Sequence, residues 1–308
     1  MGKIAFVFSG QGAQYPGMGR ELADRSPAAR AVFTAADALR PGTSALCFSA
    51  SMEELCETKN TQPCMFAVEL AAAAALREAG IRADMATIHS DYRLDYLGRP
   101  LAALTYGGAM DFETGFSLVC RRAEHMQKAA EAHDTAMAAV LKLTPNAVIA
   151  LCADFAEVYP VNFNCPGQIT VSAAAEQMPA FLAAVKAAGG RAIPLKVRGG
   201  FHSPFMAEAA TSFAADLAAV KLNAPAIPVY TNRTAQPYGA DVAGMLAGQI
   251  DHPVLWEDSV RAGTDTFLEL GPGRTLCGLI AKTDASVRTF AAEKTEDFEK
   301  LLQEVAPC

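Results

Sequence analysis

The sequence predicts an α/β fold, a parallel-sheet body carrying a small inserted subdomain. Three observations predict it. Compact apolar runs that end in glycine-rich turns alternate with helical patterns towards both ends of the chain, as in a parallel sheet covered by helices. Residues 136–197 break that rhythm and read β-α-β-β-α-β, the ferredoxin-like order. A length of 308 residues suits one large domain with such an insert, and no repeat or low-complexity tract divides it.

The elements follow in order. Ile4–Phe8 is an apolar β-run closed by Ser9-Gly10-Gln11-Gly12. Helical patterns cover 27–40 and 63–80, the second stopped at Gly80, a suitable residue just past a helix end. An apolar segment at 84–88 precedes an irregular stretch. Asp111 then caps a helix running to about Ala130, with Phe116, Val119, Cys120 and Met126 at helical spacing. In the insert, Ala136–Leu143 reads as a strand and Pro145–Ala153 as a helix with proline in its first turn. Val158–Asn164 and Gln168–Ala173 form a strand pair across Pro166-Gly167, Glu176–Ala188 is a helix ended by Gly189-Gly190, and Ala192–Val197 is the last strand. The body resumes with a strand at Ile227–Thr231, a helix at 240–250, a strand at Thr266–Leu270 and a helix at 274–282. This division assigns 1–130 and 199–308 to the body and 131–198 to the subdomain.

Composition removes several function classes. A formal charge of −7 disfavours nucleic-acid binding and non-specific membrane adhesion, both of which call for a basic face. The Ala67–Leu76 run contains Glu69 and falls short of the roughly 20 apolar residues of a membrane span. The apolar start of the chain is too short for a signal peptide. The eight cysteines form no CxxC pair and no Cys/His cluster with metal-ligand spacing, so they read as small buried residues of a reducing compartment. A cytoplasmic protein with no metal or redox cofactor is the expectation.

Four segments could carry chemistry. In Gly199-Gly200-Phe201-His202-Ser203-Pro204, the Ser-Pro pair signals a helix start and sets an imidazole at its N-terminus. The helix field there favours the neutral ring, a general base; the alternative is a surface histidine beside an ordinary cap. Ser90, in Ile88-His89-Ser90-Asp91, follows a short strand as nucleophiles of α/β enzymes do. Its flanks lack the small residues of Gly-x-Ser-x-Gly, so on this ground the motif fails, and a lone His-Ser pair is more often loop. The turn at Gln11 offers exposed backbone N–H groups for an oxyanion or is a plain tight turn; Tyr15 rules out a dinucleotide fingerprint. Of Arg121 and Arg122, helical neighbours about 100° apart, one can face inward and then needs a carboxylate, structural or from a ligand.

Taken together, Phe6–Gln14, Asn60-Thr-Gln-Pro63, Leu118–Gln127, Phe163–Gln168, Gly200–Pro204, Asn223-Ala-Pro225, Gln249–Trp256 and Glu269–Gly273 resemble the malonyl-CoA:acyl carrier protein transacylase family over nearly the whole chain. The resemblance implies a hydrolase-like α/β body with a ferredoxin-like insert. It implies malonyl-CoA and an acyl carrier protein as partners, and malonyl transfer in fatty-acid synthesis. It also implies roles: Ser90 as nucleophile, His202 as base, and Gln249 orienting His202 through its carbonyl. Gln11 and Asp91 would supply the oxyanion amides, Arg122 would clamp the malonyl carboxylate, and Phe201 is the family's usual neighbour of the histidine in malonyl enzymes. Lys186, Arg191, Lys196 and Arg198 offer a basic patch for an acidic carrier, or simply a solvated charged face.

One stretch departs from the family. Its elbow reads Gly-His-Ser-Leu-Gly-Glu, with a leucine about seven positions after the serine; here the matching Leu104 stands fourteen after Ser90. Pro100 would interrupt the helix expected to follow the nucleophile. A rival alignment puts Tyr96 in the nucleophile position, but Ser90 keeps the upstream spacing. In either alignment Asp91 adds a negative charge where one develops in the reaction. The expected consequences are a longer loop presenting Ser90, with slowed transfer, or a homologue that binds malonyl-CoA without efficient transfer. A free-standing polyketide acyltransferase is a third reading.

Overall fold

The computed structural model of the protein describes residues 3–10, 12–88, 99–195, 197, 199–262 and 264–305. Strand β1 (Ile4–Phe8) is followed by helices α1 (Arg20–Arg25), α2 (Pro27–Leu39), α3 (Thr43–Ser49), α4 (Met52–Cys56) and α5 (Thr58–Glu78), then by β2 (Met85–Ile88). Next come α6 (Arg99–Tyr106), α7 (Phe112–Ala132), β3 (Thr135–Leu141), α8 (Pro145–Ala153), β4 (Val158–Cys165), β5 (Gln168–Ala174), α9 (Met178–Ala187) and β6 (Arg191–Pro194). A 3₁₀ turn at Pro204–Met206 leads into α10 (Ala207–Ala218), β7 (Val229–Tyr230), α11 (Val242–Ala247), β8 (Val254–Leu255) and α12 (Trp256–Val260). The chain closes with β9 (Thr266–Leu270), α13 (Thr275–Thr283), β10 (Arg288–Ala292) and α14 (Thr295–Val305). Among the described residues, no helix is long and apolar enough to cross a membrane.

The predicted fold class holds. One sheet has the order β10-β9-β1-β2-β7 and is parallel throughout. Its central strands are covered on both faces, which is why β1 and β9 read as near-continuous apolar runs. The second sheet runs β6-β3-β5-β4-β8. Its first four strands are antiparallel in the ferredoxin-like order, and β8, from beyond the insert, pairs parallel to β4. Alternation along β3 sends Ala138 and Val140 to a core shared with Val148, Cys152, Phe181 and Val185 of α8 and α9. Met137 and Val161, facing the other way, pack into the large core of the body.

Local departures from the sequence reading have local causes. Helix α5 begins at Thr58 and not at Pro63, because the polar residues before the proline are bonded inside the fold. Asn60 bridges Arg40 and the Glu54 carbonyl, and the Thr61 hydroxyl donates to the Glu57 carbonyl at 3.1 Å. Strand β7 is cut to two residues behind Pro228, whose missing N–H weakens a ladder. Helix α11 stops at Ala247, short of the expected 250. Pro100 sits in the first turn of α6, where proline is tolerated, so it opens this helix rather than interrupting it.

Helix α7 crosses α5 and α6 closely at Gly115, which lies two turns before Arg122. A Cβ on Gly115 would collide with Thr105 Oγ1 and lie 3.0 Å from Phe66 Cζ. We therefore expect Gly115→Ala to cost about 1–3 kcal/mol, read as a lower midpoint in urea unfolding with an unchanged slope.

Candidate active site

The strand order of the parallel sheet reverses between β9 and β1, and ligands of such sheets bind beyond the carboxyl ends of the strands at that point. Phe8 is in register with both Ile88 and Leu270, so β1, β2 and β9 end at one level of the sheet. Gly271, with φ of 96°, lies so close to Ser9 that a side chain there would strike its hydroxyl, while the Ser9 N–H donates to the Leu270 carbonyl at 2.9 Å. The Tyr15 hydroxyl donates to Glu293, which also accepts from the Gly273 N–H at 3.2 Å, so the glycine-rich turn is tied to the far end of the chain. Gln11, Ser90, Asp91 and the rival Tyr96 lie outside the described residues.

His202 is 1% exposed and stands in the left-handed region at φ of 58°, between the glycine pair and Ser203. Its Nδ1 lies 2.9 Å from the Gln249 carbonyl and 3.1 Å from that of His252. Carbonyls only accept, so Nδ1 carries the ring proton and Nε2 holds the lone pair, the tautomer a general base needs. A helical run does begin at Pro204, but as a 3₁₀ turn of three residues and without the expected serine cap. Ser203 makes no capping bond; its hydroxyl turns back to the Gly200 carbonyl at 2.5 Å, and a 3₁₀ turn separates it from α10. The ring is therefore set by two carbonyls and not by a helix end. Phe201 is fully buried in the body core, its ring packed beneath Gly199.

Arg121 and Arg122 divide as their spacing requires. Arg121 lies at the surface in a 2.9 Å pair with Asp216, which also meets His125 Nε2 at 2.7 Å. Arg122 is completely buried. Its Nη1 donates to Gln62 Oε1 at 3.0 Å, while Nε and Nη2 have no partner among the described residues. Burial pulls its guanidinium down to about 9, with the neighbouring Tyr238 opposing that shift. The group remains a cation at neutral pH, with two donor nitrogens, Nε and Nη2, unused.

Gln249 is also buried, and its side-chain amide donates to the Tyr238 hydroxyl at 2.6 Å. The structure thus brings His202, Gln249 and Phe201 together through one pair of turns and sets Arg122 within electrostatic reach of Tyr238. Gln62, Tyr238 and the His252 carbonyl had no assigned part in the sequence reading. Gln62 and His252 carried a signal, within Asn60-Thr-Gln-Pro63 and Gln249–Trp256; Tyr238 carried none. Of the basic patch, Lys186 and Arg191 are exposed at the end of α9 and the start of β6; Lys196 and Arg198 lie outside the described residues. Among the described residues, no group of His, Cys, Asp or Glu side chains is placed to hold a metal ion.

Residues 5–272 match the acyl transferase domain family. The chain is similar to a malonyl CoA-acyl carrier protein transacylase of Bacillus subtilis, with 36% identity over 98% of this chain and 97% of the relative. It superposes on a malonyl CoA-acyl carrier protein transacylase of Clostridium perfringens with a TM-score of 0.92 and 30% identity, over 98% of this chain and 97% of the other. A malonyl-transacylase solved in complex with its type II polyketide acyl-carrier protein gives a TM-score of 0.91 and 30% identity, over 98% and 99% of the two chains.

The left-handed backbone at residue 202 gives a test independent of chemistry. His202→Gly removes the strain of a Cβ in that region and His202→Ala keeps it, so the glycine variant should be the more stable by about 1 kcal/mol in denaturant titration.

Proposed function

Because the chain belongs to the acyl transferase domain family, among the malonyl CoA-acyl carrier protein transacylases, we propose that it transfers a malonyl group from malonyl-CoA to the phosphopantetheine thiol of an acyl carrier protein in fatty-acid synthesis. The observation that carries this reading is Arg122, a fully buried cation with no acidic partner among the described residues and two unused donors. A buried unpaired charge is costly, and a ligand carboxylate is the group that relieves it. Guanidinium grips carboxylate with two parallel bonds, so a malonyl group is held and a neutral acetyl group is not.

In this reading Ser90 is the nucleophile. Its hydroxyl proton passes to Nε2 of His202 as the oxygen attacks the thioester carbonyl. Collapse of the tetrahedral intermediate expels the CoA thiolate, which takes that proton, and leaves a malonyl ester on Ser90. The carrier's thiol then gives its proton to His202, attacks the ester and receives the malonyl group, while His202 returns the proton to Ser90. The Nδ1 bonds to the Gln249 and His252 carbonyls support this cycle, since they stabilise the ring when it is charged and hold its tautomer when it is not. Gln11 and Asp91 are the proposed sources of the oxyanion N–H groups, and Phe201 the packing support beneath the histidine turn.

Both half-reactions exchange acyl groups between a thiol and a serine, and this chemistry calls for no metal or organic cofactor. The exposed Lys186 and Arg191 support a carrier contact near the α9–β6 turn. We place the reaction in the cytoplasm, a reading supported by the free thiols of the described cysteines.

Two measurements test this. Mass spectrometry after incubation with malonyl-CoA should find one malonyl group on the peptide containing Ser90, and none in Ser90→Ala; label on Tyr96 would overturn the nucleophile assignment. Arg122→Ala should lower kcat/KM for malonyl-CoA by about a hundredfold or more while leaving turnover of acetyl-CoA no worse. Equal losses for both substrates would remove the clamp.

A further inference from the structure

The carbonyl that holds His202 belongs to a residue outside any helix or strand. Helix α11 ends at Ala247, and Gln249 follows in a short turn, so no ladder of backbone bonds fixes the direction of its C=O. Its side chain is tied instead. Gln249 Nε2 donates to the Tyr238 hydroxyl at 2.6 Å, and the amide oxygen has no partner among the described residues. Tyr238 is itself firmly placed. It closes a turn in which its N–H donates to the Val229 carbonyl at 2.8 Å, and Tyr230 bridges Pro237. Its ring is buried in the body core, in the cluster that also holds Leu246 and Ile250.

We propose that Tyr238 is a positioning residue of the transfer reaction, holding the Gln249 side chain and thereby the main-chain carbonyl that aims His202. The proposal rests on the reading of His202 as the general base. A glutamine side chain has several rotatable bonds, and one short bond to a fixed phenol removes most of that freedom. The Tyr238 phenol and the Arg122 guanidinium are also within electrostatic range of each other. Burial keeps the phenol protonated, so the tie persists across the working pH range.

The test is steady-state transfer from malonyl-CoA to a phosphopantetheinylated acyl carrier protein by wild type, Tyr238→Phe, Gln249→Leu, the double variant and His202→Ala. Tyr238→Phe should lower kcat roughly tenfold, with KM for malonyl-CoA within about twofold of wild type. Gln249→Leu, which keeps its main-chain carbonyl, should show the same split, and the double variant should be no slower than either single one, because all three break one tie. Wild-type kcat in Tyr238→Phe overturns the proposal, as do losses that multiply in the double variant or a KM change without a kcat change. Should Tyr238→Phe fail to fold, Gln249→Leu decides alone, wild-type kcat there being the overturning result. Full activity in His202→Ala would overturn the assignment of the base itself, an outcome separate from a Tyr238 result obtained with an inactive His202→Ala.

Discussion

Two carbonyls converge on one ring nitrogen of His202, and the joint between the two sheets keeps them there. The turn that supplies them, 248–252, leads directly into β8, which pairs with β4 of the second sheet, Asn162 opposite Val254. From the other side, the Leu255 N–H donates to the Asn232 carbonyl at 2.6 Å, just beyond β7 of the parallel sheet. His252 adds a lateral brace: Asp251 accepts from its Nδ1 at 2.6 Å, so its Nε2 is the acceptor for Arg233 at 3.0 Å. The imidazole is thus aimed by a turn anchored in both sheets. A shift of either sheet would be felt first as a change in the direction of these carbonyls, and a displacement of about 1 Å is enough to cost orders of magnitude in a proton-transfer site.

The second constraint is electrostatic. Arg122 sits at the ordinary distance of a neutral hydrogen bond from Gln62, with no carboxylate among the described residues to balance it. Burial pulls the guanidinium well below its ordinary range, to about 9, so the fold works against the charged form. Because the folded value lies below the unfolded one, that cost is present at every pH below about 9 and is relieved only as pH rises further, towards the ordinary arginine range. At neutral pH the fold therefore carries the whole of it. Under the proposed function, a malonyl carboxylate on Arg122 would turn that cost into binding, and an acyl group without the carboxylate would not.

Much of this was legible in the sequence, and the boundary is physical. Strands β1 and β9 were visible because strands buried on both faces are continuous apolar runs, and α7 because Asp111 caps a long periodic face. Helices α1, α3, α4 and α6 are too short to show a period, β8 is two residues long, and neither β10 nor α14 was anticipated. At the site, His202 stood out through its glycine pair and Arg122 through its spacing. The Ser203-Pro204 signature marked the helix start, but as a 3₁₀ turn and without its capping bond, because the serine bonds backwards to Gly200. The contacts of Arg122 with Gln62 and of Gln249 with Tyr238 join residues far apart in the chain or on separate turns, so no local pattern encodes them.

The departure after β2 is confined by its ends. Strand β2 stops at Ile88 in register with Phe8, and α6 resumes at Arg99 with Leu101, Ala102, Ala103 and Leu104 all fully buried. Helix α6 is fastened downstream as well, through the Ala109 N–H to the Leu104 carbonyl and the Asn223 N–H to the Ala109 carbonyl, each at 2.9 Å. Extra chain between two fixed ends costs little: doubling a loop adds only about 0.6 kcal/mol of closure entropy. The body therefore exerts almost no pressure against a longer segment after β2, and stability is a poor guide to what that segment does. Under the proposed function any price is exacted in the chemistry, where the Ser90 hydroxyl must meet an imidazole whose own position is fixed by the rest of the molecule.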